Sequence, residues 1–359
     1  MKVFYDARWI LVENRFDGVS RYSHELAQEL ARQPDIDITW IVHDERQLKK
    51  LPKGAHFMAN DPNNGIAELG LPRRLNKAGA EVVYSPFFVM GTMGKKYKLV
   101  LTIHDLIYFT HRTPPQWLPW LTRLGWRLFH LTYWPLRWQL NRADHIATVS
   151  ETARNELLSV RATKRPITTV PNAVSDTFIA ADQDHSTMDG VVYMGAFTPY
   201  KNVECVIDAV SRVPNTTLHL LSKIPPSRRP EIEAYLEKAG VASRTVIHNG
   251  ASDEVYIQTL AKARCAISAS RLEGFGLPLI EAQQAGVPFV AANTPIFHEI
   301  GQKSVLYFDP DKPEEAAAHI VRLADTDTNR DVAKKGRKNA ARYTWQASAS
   351  QARTILSSL

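Results

Sequence analysis

The sequence predicts an α/β protein made of two doubly wound parallel sheets, and three observations lead there. Short apolar runs alternate with helical patterns along the whole chain, the order that builds a parallel sheet with crossover helices. At 359 residues the chain exceeds what one hydrophobic core usually organises. A polar stretch with no apolar period, DQDHSTMD at 182–189, divides the alternation into two series. The boundary is therefore expected between Val174 and Gly190.

Lys2 to Tyr5 is the first expected strand. After it come the loop Asn14-Arg15-Phe16-Asp17-Gly18-Val19-Ser20-Arg21 and a helical pattern through Tyr22, Leu26, Leu30 and Ala31. Strand, glycine-containing loop and helix form half of a phosphate-cradling motif, though a plain βα turn has the same outline. Ile36 to Val42, Glu81 to Ser85 and Lys98 to His104 are the second, third and fourth strands. The fourth ends in His104-Asp105-Leu106, and open α/β sheets place ligand-binding groups at such carboxyl ends. A packed or capped histidine would also fit there.

Residues 116–141, QWLPWLTRLGWRLFHLTYWPLRWQLN, carry five of the eight tryptophans. Arg123 and Arg127 share a helical face, and Leu121, Leu124, Leu128 and Leu131 form an apolar stripe that Pro119 and Pro135 bend or divide. Tryptophan beside arginine suits a membrane interface, and a helix packed within the domain is the other reading. Asp144 to Ser150 is the fifth strand, with Ser150 capping the helix SETARNEL, and Ile167 to Val170 closes the first series.

The second series runs Val191 to Gly195, Thr217 to Leu221, Thr245 to Asn249, Cys265 to Ser268, Phe289 to Ala292 and Val305 to Phe308. Ser252-Asp253-Glu254 reads as a helix cap with acids in the first turn. Helices follow at 313–323 and 329–342, and a last one begins at Tyr343-Thr344-Trp345.

With 44% hydrophobic and 23% charged residues the composition is that of a soluble protein. A net charge of +7 favours an acidic partner such as nucleotide phosphates or anionic lipid, and no nucleic-acid-binding motif accompanies it. Cys205 and Cys265, far apart in apolar surroundings, read as reduced, structural thiols of a cytoplasmic protein. No metal-ligand cluster is evident, MKVFYDARW lacks the apolar core of a signal peptide, and no apolar run is long enough to span a bilayer.

The densest chemistry lies in SASRLEGFGLPLIEAQQAGVPF, residues 268–289. A helix should start near Leu277, because Pro278 suits a first turn, and stop at Gly286 before Pro288. Gly274 and Gly276 let a ligand reach the main-chain N–H groups around Phe275, and a helix N-terminus favours phosphate. Glu273 before the helix and Glu281 one turn into it can border one crevice and accept hydroxyl hydrogen bonds, which suits a sugar joined to a phosphate. In the loop GAFTPYKN, Gly195 opens the turn and Lys201 is placed to hold a diphosphate as a compact charge.

The string S-R-x-E-G-F-G-L-P-x-x-E-A, with T-I-H-D-L at 102–106 and the Gly195-to-Lys201 spacing, resembles the retaining glycosyltransferases of family 4. That resemblance covers the whole chain. It implies a GT-B fold, two Rossmann-like domains facing a central cleft. Residues 1–174 would bind the acceptor, with 345–359 crossing back to them, and residues 175–344 would bind the donor. It further implies a nucleotide-sugar as co-substrate, with no other cofactor and no metal. Glu281 would hold the ribose hydroxyls and Glu273 the hexose hydroxyls. The backbone of Gly274, Phe275, Gly276 and Leu277 would lie along sugar and phosphate, and Gly195 and Lys201 would meet the leaving diphosphate. His104 would contact the transferred sugar, and Gly18 and Arg21 would belong to the acceptor and diphosphate loop. By the same resemblance Glu299 is structural.

Two departures weaken the match. Only Gly18 remains of the usual glycine pair, with Asp17 in the other position, and Ala196 stands where an arginine is common. The P-Y-K-N context and the tryptophan-rich helix resemble mannosyltransferases with lipid-linked or saccharide acceptors. The expected activity is thus mannose transfer from GDP-mannose in the cytoplasm, with peripheral membrane contact through 116–141. The alternatives are a UDP-sugar donor, or a non-catalytic module that binds nucleotide-sugar or lipid.

Overall fold

The computed structural model describes residues 1–12, 18–114, 120–175, 178 and 189–359. It divides into two units, Met1–Asn172 with Thr344–Leu359, and Ala173–Tyr343.

Among the described residues the first unit holds seven strands: β1 (Lys2–Asp6), β2 (Asp37–Val42), β3 (Ala55–Met58), β4 (Val82–Ser85), β5 (Lys98–Ile103), β6 (His145–Thr148) and β7 (Ile167–Thr169). All pair in parallel, in the order β3-β2-β1-β4-β5-β6-β7. The central strands are near-continuous apolar runs such as KLVLTI and HIAT because helices cover both faces of a parallel sheet. Leu99, Leu101 and Ile103 of β5 pack with Leu136, Leu140 and Ile146. The helix Gly18–Ala31 buries Tyr22, Leu26 and Leu30 on the expected stripe.

One strand departs from the sequence expectation. The expected third strand is the fourth, because β3 inserts at the sheet edge. Three of its four residues are exposed, so AHFM shows neither an apolar run nor an alternation. The tryptophan-rich segment forms two helices, Trp120–Phe129 and Trp134–Leu140, with Pro135 in the first turn of the second. Trp117 and Pro119 lie outside the described residues. Ser150 caps the helix Glu151–Ser159 by accepting from Ala153 N at 3.0 Å, as its spacing predicts.

Among the described residues the second unit holds six parallel strands: β8 (Val191–Tyr193), β9 (Leu218–Leu220), β10 (Thr245–Ile247), β11 (Cys265–Ser268), β12 (Phe289–Ala292) and β13 (Leu306–Phe308). Their order is β10-β9-β8-β11-β12-β13. Val206, Val210, Leu220, Ile267 and Ile320 are among the side chains that close its core. Beyond this unit, the helix Trp345–Ser357 returns to the first one: Trp345 lies edge-on to Tyr22 at 5.9 Å, and Ser348 Oγ donates to Pro171 O at 2.7 Å. Among the described residues no helix is long and apolar enough to cross a membrane.

Candidate functional site

Each sheet reverses its winding once, and the strands flanking a reversal leave a crevice at their carboxyl ends where ligands settle. In the second unit the reversal lies between β8 and β11. The segments leaving these two strands are the ones that carry the Gly195-to-Lys201 and Glu273-to-Glu281 strings.

After β8 the chain enters a 3₁₀ turn, Pro199–Lys201, that ends on Asn202 in the left-handed conformation (φ 52°, ψ 46°). Asparagine tolerates that region better than most residues, and its amide anchors the turn by donating to Pro310 O at 2.9 Å. Arg271 N, from the segment after β11, donates to Tyr200 O at 2.8 Å and laces the two loops together. The result is an ion pair. Lys201 Nζ lies 2.6 Å from Glu273 Oε1, with the side chains only 16% and 13% exposed. Limited water access makes the pair stronger than a surface bridge and costly to leave half-made.

Gly195 has a packing reason beside any functional one. A Cβ there would meet Tyr193 Oη at 3.0 Å, and that hydroxyl donates to Ala196 O at 3.0 Å. The Gly195 N–H donates to Ser222 Oγ at 3.1 Å.

The helix Leu277–Gln284 begins where expected, with Pro278 in its first turn. Its N-cap is Gly276 at φ 91°, which has no side chain to satisfy the first-turn N–H groups. A Cβ on Gly276 would also approach Phe297 Cε1 to 3.1 Å. Pro278 has no N–H and Leu279 N donates to Gly276 O at 2.9 Å, so what this helix start can offer an anion at the positive end of its dipole is main chain no further in than Leu277. Gly274 lies in the segment between β11 and this helix. The Phe275 side chain turns into the core, edge-on to Tyr343 at 5.4 Å, so what Phe275 can offer a ligand is its main chain.

Glu281 lies in the second turn of the same helix. It is buried, and Tyr256, from the helix Asp253–Leu260, donates its hydroxyl to Glu281 Oε2 at 3.2 Å. Sequence reasoning missed Tyr256. Its partner lies 25 residues away on another helix, and the one local trace is an aromatic on the inner face of a capped helix.

In the first unit His104 follows β5 as expected. Its Nε2 meets Pro86 O at 2.9 Å, and Tyr22 stands edge-on to the ring at 4.9 Å. A carbonyl oxygen accepts only, so Nε2 carries the proton and Nδ1 of the neutral ring is an acceptor. Desolvation lowers the His104 pKa to about 4, against the opposing pull of the Pro86 hydrogen bond, so the ring is neutral at physiological pH. Asp105 orients the following turn by accepting from Ile107 N at 3.0 Å. Gly18 opens its helix and Arg21 lies in the first turn, while Asn14 to Asp17 lie outside the described residues.

The first unit's reversal, between β1 and β4, is stiffened by a buried cluster. Arg8 bonds both oxygens of Asp6 at 2.7 and 2.9 Å and reaches Glu68 Oε1 at 2.5 Å. Glu68 Oε2 accepts from Gly91 N at 2.8 Å, and Ser85 Oγ donates to Asp6 Oδ2 at 3.2 Å. Among the described residues no group of three or more His, Cys, Asp or Glu could hold a metal ion.

Two family models divide the chain between them. Residues 16–178 match the one described as Glycosyltransferase Family 4, and residues 178–340 match the one described as Glycosyl transferases group 1. The chain is similar to O-antigen chain mannosyltransferase B of Escherichia coli, 25% identical over 367 residues, covering 96% of this chain and 87% of that protein. It is 28% identical over 217 residues to MMP alpha-(1->4)-mannosyltransferase of Mycolicibacterium hassiacum, covering 57% of this chain and 52% of the other. In fold it resembles the crystal structure of Anabaena Alr3699/HepE in complex with UDP and glucose, with a TM-score of 0.77 and 16% identity over the full length of both chains.

Proposed function

Since the chain belongs to glycosyltransferase family 4, we propose that it transfers a sugar from a nucleotide-sugar, as a retaining mannosyltransferase using GDP-mannose. The observation that carries this reading is the Lys201–Glu273 pair at 2.6 Å, beside a helix start without a side-chain cap. A cation, a carboxylate and main-chain donors answer the three parts of such a donor: diphosphate, sugar hydroxyls and the phosphate next to the sugar. Support for mannose comes from relatives named as mannosyltransferases.

In this reading the second unit holds the donor and the first the acceptor. Glu281, fixed by Tyr256, accepts from the ribose hydroxyls. Glu273 accepts from hexose hydroxyls, and main-chain groups from Gly274 to Leu277 lie along sugar and phosphate. Lys201, with the loop that Gly195 opens, offsets charge developing on the departing diphosphate, an effect that a preorganised cation supplies without reorganisation. With that charge met by Lys201 and the helix start, the reaction calls on no metal.

Glu273 is already neutralised by Lys201, which makes it a poor nucleophile, so retention follows a front-face course. The acceptor hydroxyl attacks the anomeric carbon from the side the diphosphate leaves, and its proton passes to the departing phosphate oxygen. His104 accepts a hydroxyl of the transferred sugar through Nδ1, and Gly18 and Arg21 border the acceptor and diphosphate. The acceptor is a saccharide, carried on a lipid, and the enzyme works at the cytoplasmic face of a membrane.

A thermal-shift series with GDP, UDP, ADP and their sugar conjugates tests the donor. A ligand that binds only the folded state stabilises it increasingly above its dissociation constant. Selective stabilisation by GDP and GDP-mannose, lost in Glu281→Ala, is the expected result. A UDP-selective shift would replace the donor, and no shift with any nucleotide would favour a non-catalytic module that binds lipid.

A further inference from the structure

The helix Trp120–Phe129 lies on the first unit with none of its residues buried. At about 100° per residue, Trp120, Leu121, Leu124, Leu128 and, just past the helix, Leu131 project from one face. Each of these five is between 49% and 71% exposed. The other side of the helix is the one that packs: Trp126 stands edge-on to Tyr108 at 5.2 Å and lies 4.0 Å from His130, and Phe129 is 6.1 Å from Phe109. The leucine face is what remains after the helix has made its contacts, and contiguous apolar surface of this kind marks an interaction site.

The charge around it is one-sided. From Leu106 through Ala143 the sequence has five arginines and no Asp or Glu. Three of the arginines are already engaged by hydrogen bonds: Arg112 donates to Phe109 O, Arg137 to Val160 O, and Arg142 to Thr92 Oγ1 while lying over Trp138. Arg123 and Arg127, by the same helical spacing, edge the leucine face on one side. A second copy of the chain could cover the leucines, but two arginine-edged faces without carboxylates would repel when brought together. A surface of phosphates over hydrocarbon complements both features.

We propose that this face docks the first unit onto an anionic lipid bilayer, with Trp120, Leu121, Leu124 and Leu128 at the headgroup–acyl boundary and Arg123 and Arg127 against lipid phosphates. The proposal rests on the lipid-linked-acceptor reading above and names the surface on which such an acceptor is met. It does not depend on which donor is used.

Co-sedimentation of the full chain with extruded vesicles tests it, comparing phosphatidylcholine alone with an equimolar phosphatidylcholine–phosphatidylglycerol mixture. The expected result is binding to the anionic vesicles, weakened by salt, and little binding to the neutral ones. Replacing both Arg123 and Arg127 with Gln lowers the anionic affinity about thirtyfold, and Leu124→Glu with Leu128→Glu removes it. Because none of the four side chains is buried, both variants keep the wild-type melting temperature and nucleotide-induced stabilisation. That parallel nucleotide measurement separates a failure of docking from a failure of the donor reading. Failure of the wild type to sediment with either vesicle, or variants that sediment like wild type, would overturn the proposal. So would light scattering that finds a vesicle-free dimer dissociated by Leu128→Glu, which would make the face an interface between copies.

Discussion

Tyr256 donates its hydroxyl to Glu281 Oε2 at 3.2 Å, from a helix other than the one that carries the carboxylate. Tyr256 is 1% and Glu281 5% exposed, so the hydroxyl is fixed against one carboxylate oxygen with little competition from water. Tyr256→Phe keeps the ring and removes this donor. Hydrogen bonds to charged groups contribute about 1.5–3 kcal/mol, so the donor KM should rise by roughly tenfold while kcat changes little. Saturation kinetics check this split, and equal losses in kcat and kcat/KM would assign Tyr256 to the chemical step instead.

The Lys201–Glu273 pair makes a prediction about stability as well as rate. Removing one partner leaves the other charge poorly solvated, whereas removing both does not. In denaturant titrations Lys201→Met and Glu273→Gln should each cost about 1–3 kcal/mol, and the double variant should cost less than the sum. Lys201→Ala should lower kcat about a hundredfold or more, with Lys201→Arg restoring part of it.

His104 gives a pH dependence with a definite sign. Its folded pKa of about 4 lies below the ordinary 6.5 because desolvation disfavours the imidazolium. Between those values the unfolded chain binds a proton that the folded one refuses. The folded state therefore loses stability as pH falls from about 7 to 4, by up to about 3 kcal/mol from this group. His130, His145, His219 and His248 are shifted in the same direction, each by desolvation first. Subtracting the pH profile of His104→Gln from that of wild type isolates the single contribution, and parallel profiles would refute it.

Gly276 is strained for any other residue. With φ at 91° and Phe297 Cε1 3.1 Å from where a Cβ would stand, Gly276→Ala costs about 1–3 kcal/mol. The same change moves the helix start, so donor affinity should fall more than the melting temperature alone would imply. Calorimetric melting and nucleotide titration together check the pair of effects.

What the sequence revealed and what it hid divide along sequence distance. The strand–loop–helix around Glu273 and Glu281 was legible because its determinants, two glycines and Pro278, lie within the string itself. Ser150 and Ser252 announced their caps for the same reason. The edge strand β3 was missed because exposed residues carry no apolar pattern. Neither the pairing of Lys201 with Glu273 nor that of Arg8 with Glu68 could be read, because sheet order decides which distant loops meet. The leucine stripe of Trp120–Phe129 was visible as a period, yet only the packing shows that it faces outward.

The return of the helix Trp345–Ser357 to the first unit has a consequence for synthesis. A ribosome delivers residues 173–343, a whole parallel sheet with its helices, before it delivers the segment that packs on Tyr22. The second unit can therefore finish folding while the first still lacks Trp345, the Ser348 hydrogen bond to Pro171 and the Arg353–Asp35 ion pair. The half of the chain that is made first is thus the last to receive all of its parts.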